Sequence, residues 1–147
     1  MNEIDEICKS LVDKAKGEGV TRYVVGGVVS KEGKALLLRR SKNDFMGGIY
    51  ELPSGKVENN ETLPQALCRE ILEETGMKVL KIKKHLGNFD YLSKKGENTR
   101  QFNFEVTVED SNIKLSEHDA FAWVNKAEKN NYNITDNVNA VLNEFWG

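Results

Sequence analysis

The run Arg69-Glu70-Ile71-Leu72-Glu73-Glu74 packs three carboxylates into five consecutive positions, 70–74. A helix advances about 100° per residue. With Glu70 as origin, Glu73 then lies at about −60° and Glu74 at about +40°, so all three acids share one arc of about 100°. Leu67, Cys68, Ile71 and Leu72 fall between about +60° and +200° and read as the core-facing side of the same helix. Like charges at this spacing repel by roughly a few tenths of a kcal/mol per pair. A hard divalent cation such as Mg²⁺ or Mn²⁺, which prefers carboxylate and water oxygens, would offset that repulsion. Taken alone, the helix also reads as an ordinary solvated acidic face with Arg69 and Lys78 as loose partners.

The elements that must position these acids are legible around them. A helix is predicted over 62–75, with Thr62 and Gln65 forming a capping box and Gly76 ending it. The segment Leu52–Glu61 reads as a glycine-containing loop feeding the helix N-terminus. Upstream, Ile4, Ile7, Cys8, Leu11, Val12 and Ala15 recur at helical spacing, predicting a helix over 1–16 that stops at Gly17 or Gly19. Arg22–Val29 and Ala35–Arg39 read as strands joined by the turn Lys31-Glu32-Gly33-Lys34. Ser41–Gly48 reads as a loop and Ile49–Leu52 as a short strand. Strand-like runs follow at 78–83, 85–91 and 101–108, the last two pairing as a hairpin across 93–97, with Phe102, Phe104, Val106 and Val108 on one face. A strand at Phe121–Val124 and a helix over 136–146, carrying Val138, Val141, Leu142 and Phe145, close the chain. This mixed order predicts an α/β or α+β fold. It forms one domain over 1–147, in which 1–19 is an N-terminal helical extension.

Composition narrows the function classes. The 147 residues include 21 Lys+Arg against 23 Asp+Glu, a net charge of −2. That balance gives no general electrostatic attraction to nucleic acid or to an anionic membrane. The 39% hydrophobic content suits a chain that buries its core without staples. No apolar run approaches the roughly 18 residues that span a bilayer. The acidic start, Met1-Asn2-Glu3-Ile4-Asp5-Glu6, lacks the basic and apolar regions of a signal peptide, which predicts a cytoplasmic protein. Cys8 and Cys68 have no CxxC spacing, so neither a disulfide framework nor a zinc site is indicated.

Read together, residues 55–77 run Gly55, five residues, Glu61, seven residues, then Arg69-Glu70-Ile71-Leu72-Glu73-Glu74-Thr75-Gly76-Met77. This resembles the Nudix box, G-x5-E-x7-R-E-U-x-E-E-x-G-U with U a bulky aliphatic residue, at every fixed position. The resemblance covers roughly 21–146 and implies an α/β/α sandwich around a mixed sheet, with the box as loop–helix–loop. It also implies a hydrolase that cleaves a nucleoside diphosphate linked to a further group, by water attack on phosphorus with a divalent metal. Carried over, Glu70, Glu73 and Glu74 resemble the metal-binding glutamates, and Ser54, where a glycine is usual, would offer a backbone carbonyl. Arg69 would orient a glutamate through its planar fork, and Glu61 would stabilise the loop–helix–loop. Either Glu70 or Glu117, six residues before Trp123, would be the general base, and Glu117 a further metal ligand. His118 reads as a solvated loop residue.

For the substrate, the resemblance is greatest to MutT-type enzymes that convert a nucleoside triphosphate to monophosphate and pyrophosphate. Nucleotide sugars and dinucleoside polyphosphates are the alternative substrates, and a non-catalytic nucleotide sensor is the alternative class. Arg39 and Arg40 end a strand aimed at the cleft, and alternation turns one of them towards a phosphate. Tyr50, Phe89 and Trp123 are candidates to stack on a base, as are Phe45 and Tyr91. Arg100 and Gln101 are further candidates to line the same cleft.

Overall fold

A computed structural model describes residues 2–147. The chain runs α1 (Glu3–Gly17), β1 (Arg22–Lys31), β2 (Lys34–Arg40), β3 (Tyr50–Glu51), β4 (Ser54–Lys56), α2 (Leu63–Thr75), β5 (Val79–Leu92), β6 (Asn98–Val108) and β7 (His118–Val124). A 3₁₀ turn at Lys126–Asn131 and α3 (Asp136–Trp146) follow. The strands form a mixed sheet in the order β3-β2-β1-β6-β5, with β4 added on β1 and β7 on β2. Among the described residues β1 and β6 pair in parallel and the other pairings are antiparallel.

Strand alternation divides the core in two. Val25 and Val29 of β1, Leu36 and Leu38 of β2, and Phe102, Phe104 and Val106 of β6 face α1 and α2, where they meet Cys8, Ala15, Leu63, Leu67 and Ile71. Val28, Ala35 and Leu37 face the other way, onto Val138, Val141 and Leu142 of α3. Helices therefore cover both faces, as a sandwich requires. No described helix is long and apolar enough to cross a membrane.

The local signals act as read at both ends of α2. Thr62 accepts from Gln65 N, the Gln65 side chain answers from Thr62 N, and Gly76 ends the helix at φ 73°. Three differences have physical causes. The runs 78–83 and 85–91 are one strand, Val79–Leu92, because bulges absorb its register shifts against β6. Ser54–Lys56, expected as loop, is held as β4 by Val24, Val25 and Gly26 of β1, a pairing that local sequence does not signal. β7 starts at His118 rather than Phe121, since Arg40 of β2 extends the ladder to it.

The wheel of α2 also needs correction. Its buried residues are Leu63, Ala66, Leu67, Ile71 and Thr75, which span about −40° to +140° on the same scale. Cys68 and Leu72 are exposed. The buried arc therefore contains Glu70 and Glu74, and two of the three acids point towards the sheet.

Candidate active site

Glycines bring α2 close enough for those acids to reach the sheet. A Cβ on Gly27 of β1 would lie 2.8 Å from Ile71 Cδ1, so the helix rests directly on the strand backbone. A Cβ on Gly55 of β4 would overlap the Glu70 carboxylate itself. Glycine at position 55 is thus the space Glu70 occupies. Ser54 is absent from the residues with positive φ, so a serine there carries no backbone strain.

The three acids differ in setting. The side chains of Glu70 and Glu74 are 14% and 12% exposed, that of Glu73 57%. Glu74 Oε1 accepts from Ser54 N at 2.7 Å. Burial nevertheless pushes its pKa up to about 8, and the charges of Glu70 and Glu51 add to this, against the opposing pull of His118 and the Ser54 amide. Glu70 is also raised, first by burial, with Arg69 pulling the other way. Arg69 gathers the loop and helix. It donates to both oxygens of Glu61, at 2.7 and 2.9 Å, and to Glu70 at 2.8 Å, Glu73 at 3.3 Å and Lys56 O at 3.0 Å. The fork holds Glu61 at a pKa of about 2, with the Glu58 amide contributing.

A second chain of polar groups reaches the same place from β2, β3 and β7. Arg40 Nε donates to Glu51 Oε1 at 3.0 Å, and His118 Nε2 donates to Glu51 Oε2 at 2.8 Å. His118 Nδ1 then faces Glu74 Oε2 at 3.9 Å and is buried with no hydrogen-bond partner. Its side chain is 6% exposed, so the solvated-loop expectation for His118 is corrected. Desolvation lowers its pKa, but the Glu51 hydrogen bond and the charges of Glu74, Glu51 and Glu117 outweigh it, for a net rise. Neither Glu51 nor the burial of His118 was read from the sequence. The signal available was alternation along β7, which puts His118 on the face opposite Asp119.

A cleft of about 350 Å³ opens beside these groups, lined by Arg40, Glu51, Ser54, Gly55, Phe89 and Gln101 among others. Arg40, Ser54 and Phe89 are thereby brought together with the box. Arg39, its alternate neighbour, turns away to bond Asp119 at 2.6 Å. Tyr50 packs edge-on against Tyr132 at 4.9 Å, and Trp123 lies under Lys31 and borders a different pocket, so neither lines this cleft. Glu117 is exposed, and no hydrogen bond joins it to the box acids among the described residues. Arg100 is held by Asp90 and Glu18 instead of facing the cleft.

A family model for the NUDIX domain matches residues 20–140. The chain belongs to the Nudix family. Among curated Nudix relatives, an ADP-ribose pyrophosphatase of Methanocaldococcus jannaschii is 46% identical over 63 residues, 43% of this chain and 36% of the relative. An 8-oxo-dGTP diphosphatase of Proteus vulgaris is 41% identical over 58 residues, 39% of this chain and 52% of the relative. The chain thus spans between a third and about half the length of these two. A crystal structure of a MutT protein from Methanosarcina mazei superposes with TM-score 0.72 at 26% identity, covering 87% of this chain and 94% of that one. The Nudix model begins at residue 20, so α1 lies outside it.

Nudix hydrolases generally use divalent metals, and the donor set here fits one. Glu70 and Glu74 are buried acceptors whose ionised form the surroundings penalise, which a cation would reverse. Among the described residues no three His, Cys, Asp or Glu side chains already form a metal-holding group, and Arg69 bonds both Glu70 and Glu73.

Proposed function

We propose that this chain hydrolyses a nucleoside triphosphate, canonical or base-modified, to the monophosphate and pyrophosphate with Mg²⁺ or Mn²⁺. The observation that carries the reading is the pair of buried carboxylates at the edge of the cleft, Glu70 against Gly55 and Glu74 against Ser54 N. Glu70, Glu73, Glu74 and the Ser54 carbonyl would hold the cation, with Glu117 as a further ligand. A cation held there would supply positive charge to offset the pyrophosphate and would acidify the attacking water.

The chain's own residues do the rest. Arg69 ties Glu61 of the loop to Glu70 of the helix, which fixes the carboxylates before substrate arrives. Ser54 N holds Glu74 in place through a hydrogen bond to Oε1. Arg40, already oriented by Glu51, presents its guanidinium to the cleft, where a phosphate would bind. Phe89 offers an apolar face for a base at the other side. Glu70 or Glu117 takes the proton from the attacking water. Glu70 is nearer the cleft wall, and Glu117 is unencumbered by hydrogen bonds among the described residues.

Incubating the protein with Mg²⁺ or Mn²⁺ and a panel of canonical and oxidised (d)NTPs, ADP-ribose, nucleotide sugars and dinucleoside polyphosphates tests this. Metal-dependent pyrophosphate release from a triphosphate is the expected result. Turnover of ADP-ribose alone would replace the triphosphate by a diphosphate-linked substrate, in line with the similarity to the Methanocaldococcus jannaschii enzyme. Nucleotide binding with no turnover would make the chain a sensor.

A further inference from the structure

Strand β6 buries polar side chains on the face that the sheet turns towards the cleft. Gln101, Asn103 and Glu105 are 8%, 0% and 8% exposed. Buried amides are costly unless bonded, and the bonds here fix which way each amide points. Asn103 Nδ2 reaches Gly87 O at 3.1 Å and Gln101 O at 3.4 Å. Both are carbonyls and can only accept, so the Asn103 nitrogen must face them and its Oδ1 must face away. That Oδ1 lies 2.8 Å from the Gln101 side-chain nitrogen. Gln101 is therefore locked in turn, with Nε2 towards Asn103 and Oε1 left over.

Gln101 lines the cleft. Its Oε1 has no protein donor among the described residues and is not one of the sealed, unpartnered atoms. It is an acceptor held open to the cleft. Gly26 makes the arrangement possible, since a Cβ there would stand 2.5 Å from Gln101 Nε2 and 2.6 Å from Asn103 Oδ1. Phe89 is directly opposite Gln101 across the β5–β6 ladder, so an apolar ring and a fixed acceptor stand side by side on one face.

We infer that Gln101 is a specificity-determining residue: its oriented Oε1 selects a nucleobase that presents an N–H donor at that edge over one that presents a carbonyl or bare ring nitrogen. The inference rests on the nucleotide reading above and names the base chemistry it favours. A base stacked on Phe89 would have one edge against Gln101. An amine or imide N–H there completes the hydrogen-bond set, whereas a carbonyl would set two desolvated acceptors against each other. Discrimination built on a polar group left unpaired is strong, about 10-fold or more.

Three nucleotide pairs isolate the feature. 8-oxo-dGMP and dGMP differ by an N–H against a bare acceptor at N7, while CMP and UMP, and AMP and IMP, exchange an amine for a carbonyl and, at the neighbouring ring nitrogen, a bare acceptor for an imide N–H. Calorimetric Kd values for each pair in MgCl₂ are measured for wild type and Gln101→Leu, together with pyrophosphate release from the corresponding triphosphates. Wild type is expected to bind one member of at least one pair, the one whose N–H meets Gln101, about 10-fold tighter. Gln101→Leu is expected to bring that ratio within about threefold, chiefly through Kd and KM. Equal binding within all three pairs by wild type, or an undiminished ratio in Gln101→Leu, overturns the inference. Preference in binding without any turnover keeps it and removes the hydrolase reading; turnover without preference does the reverse. Should Gln101→Leu fail to fold, the Gln101 side-chain amide of ¹⁵N-labelled wild type decides. It shifts on titration with the preferred nucleotide if Gln101 contacts the base, and stays fixed if it does not.

Discussion

Replacing Glu74 by glutamine should stabilise the metal-free protein at pH 8. Burial raises the Glu74 pKa from 4.5 to about 8. A carboxyl whose pKa is higher folded than unfolded contributes stability that is complete below pH 4.5 and is lost as pH rises through about 8. At about 1.4 kcal/mol for each tenfold change in proton affinity, the ceiling on that loss is about 5 kcal/mol. His118 opposes the shift, and part of it comes from the charges of Glu70 and Glu51, so we expect a gain of about 1–3 kcal/mol, or about 3–10 °C in Tm. Glutamine keeps an acceptor for Ser54 N and supplies a donor for His118 Nδ1, which has none. The assay is thermal unfolding of both proteins in EDTA at pH 5 and pH 8, repeated with Mn²⁺. In EDTA the variant should melt higher at pH 8 and alike or nearly so at pH 5. Added Mn²⁺ should raise the wild-type Tm and leave the variant's unchanged. A variant less stable than wild type at pH 8 in EDTA would refute the claim that burial penalises the ionised form of Glu74.

Other perturbations read other parts of the site. Gly55→Ala places a methyl group on the Glu70 carboxylate; it should lower kcat/KM at least about 100-fold and destabilise by about 1–3 kcal/mol, measured by steady-state kinetics and melts. Glu61 has its pKa depressed to about 2, so its ion pair with Arg69 supports the fold above pH 4.5 and is lost as pH falls towards 2. Glu61→Gln should flatten that part of the acid-unfolding curve, followed by circular dichroism, and a curve identical to wild type would contradict the assignment. Arg40→Ala should raise KM more than it lowers kcat, because Arg40 lines the cleft wall and lies outside the box. An unchanged KM would remove Arg40 from substrate binding.

The local, short-range parts of this structure were legible before the fold was known. Thr62, Gln65 and Gly76 mark the ends of α2 by their own chemistry, and the strands and closing helix follow from apolar periodicity. What depended on distant partners was not legible. β4 exists because β1 lies beside it, and the burial of Glu70 and Glu74 depends on Gly27 and Gly55 letting the helix sink onto the sheet. A helical wheel cannot distinguish an acid facing solvent from an acid facing a glycine, so Cys68 and Leu72 were given the core side that the acids in fact take. Asn103 and Glu105, and the burial of the cleft candidate Gln101, escaped for a related reason. Their alternation with Phe102, Phe104 and Val106 reads as a polar, solvated face, yet β6 lies between β1 and β5 and that face is covered. His118 likewise sits among acidic neighbours in sequence, while its surroundings come from β2, β3 and α2.

The central claim is that the glutamates of α2 hold the cation that drives hydrolysis of a nucleotide. Its most direct test is the rate of pyrophosphate release from the preferred triphosphate as a function of Mg²⁺ or Mn²⁺, for wild type and Glu73→Gln. Glu73 is exposed, so its loss should leave the fold intact by circular dichroism. Saturable metal dependence is expected in wild type, with a kcat lower by on the order of 1,000-fold in the variant. Near-normal, metal-saturable turnover in Glu73→Gln, or turnover by wild type undiminished in EDTA, would contradict it.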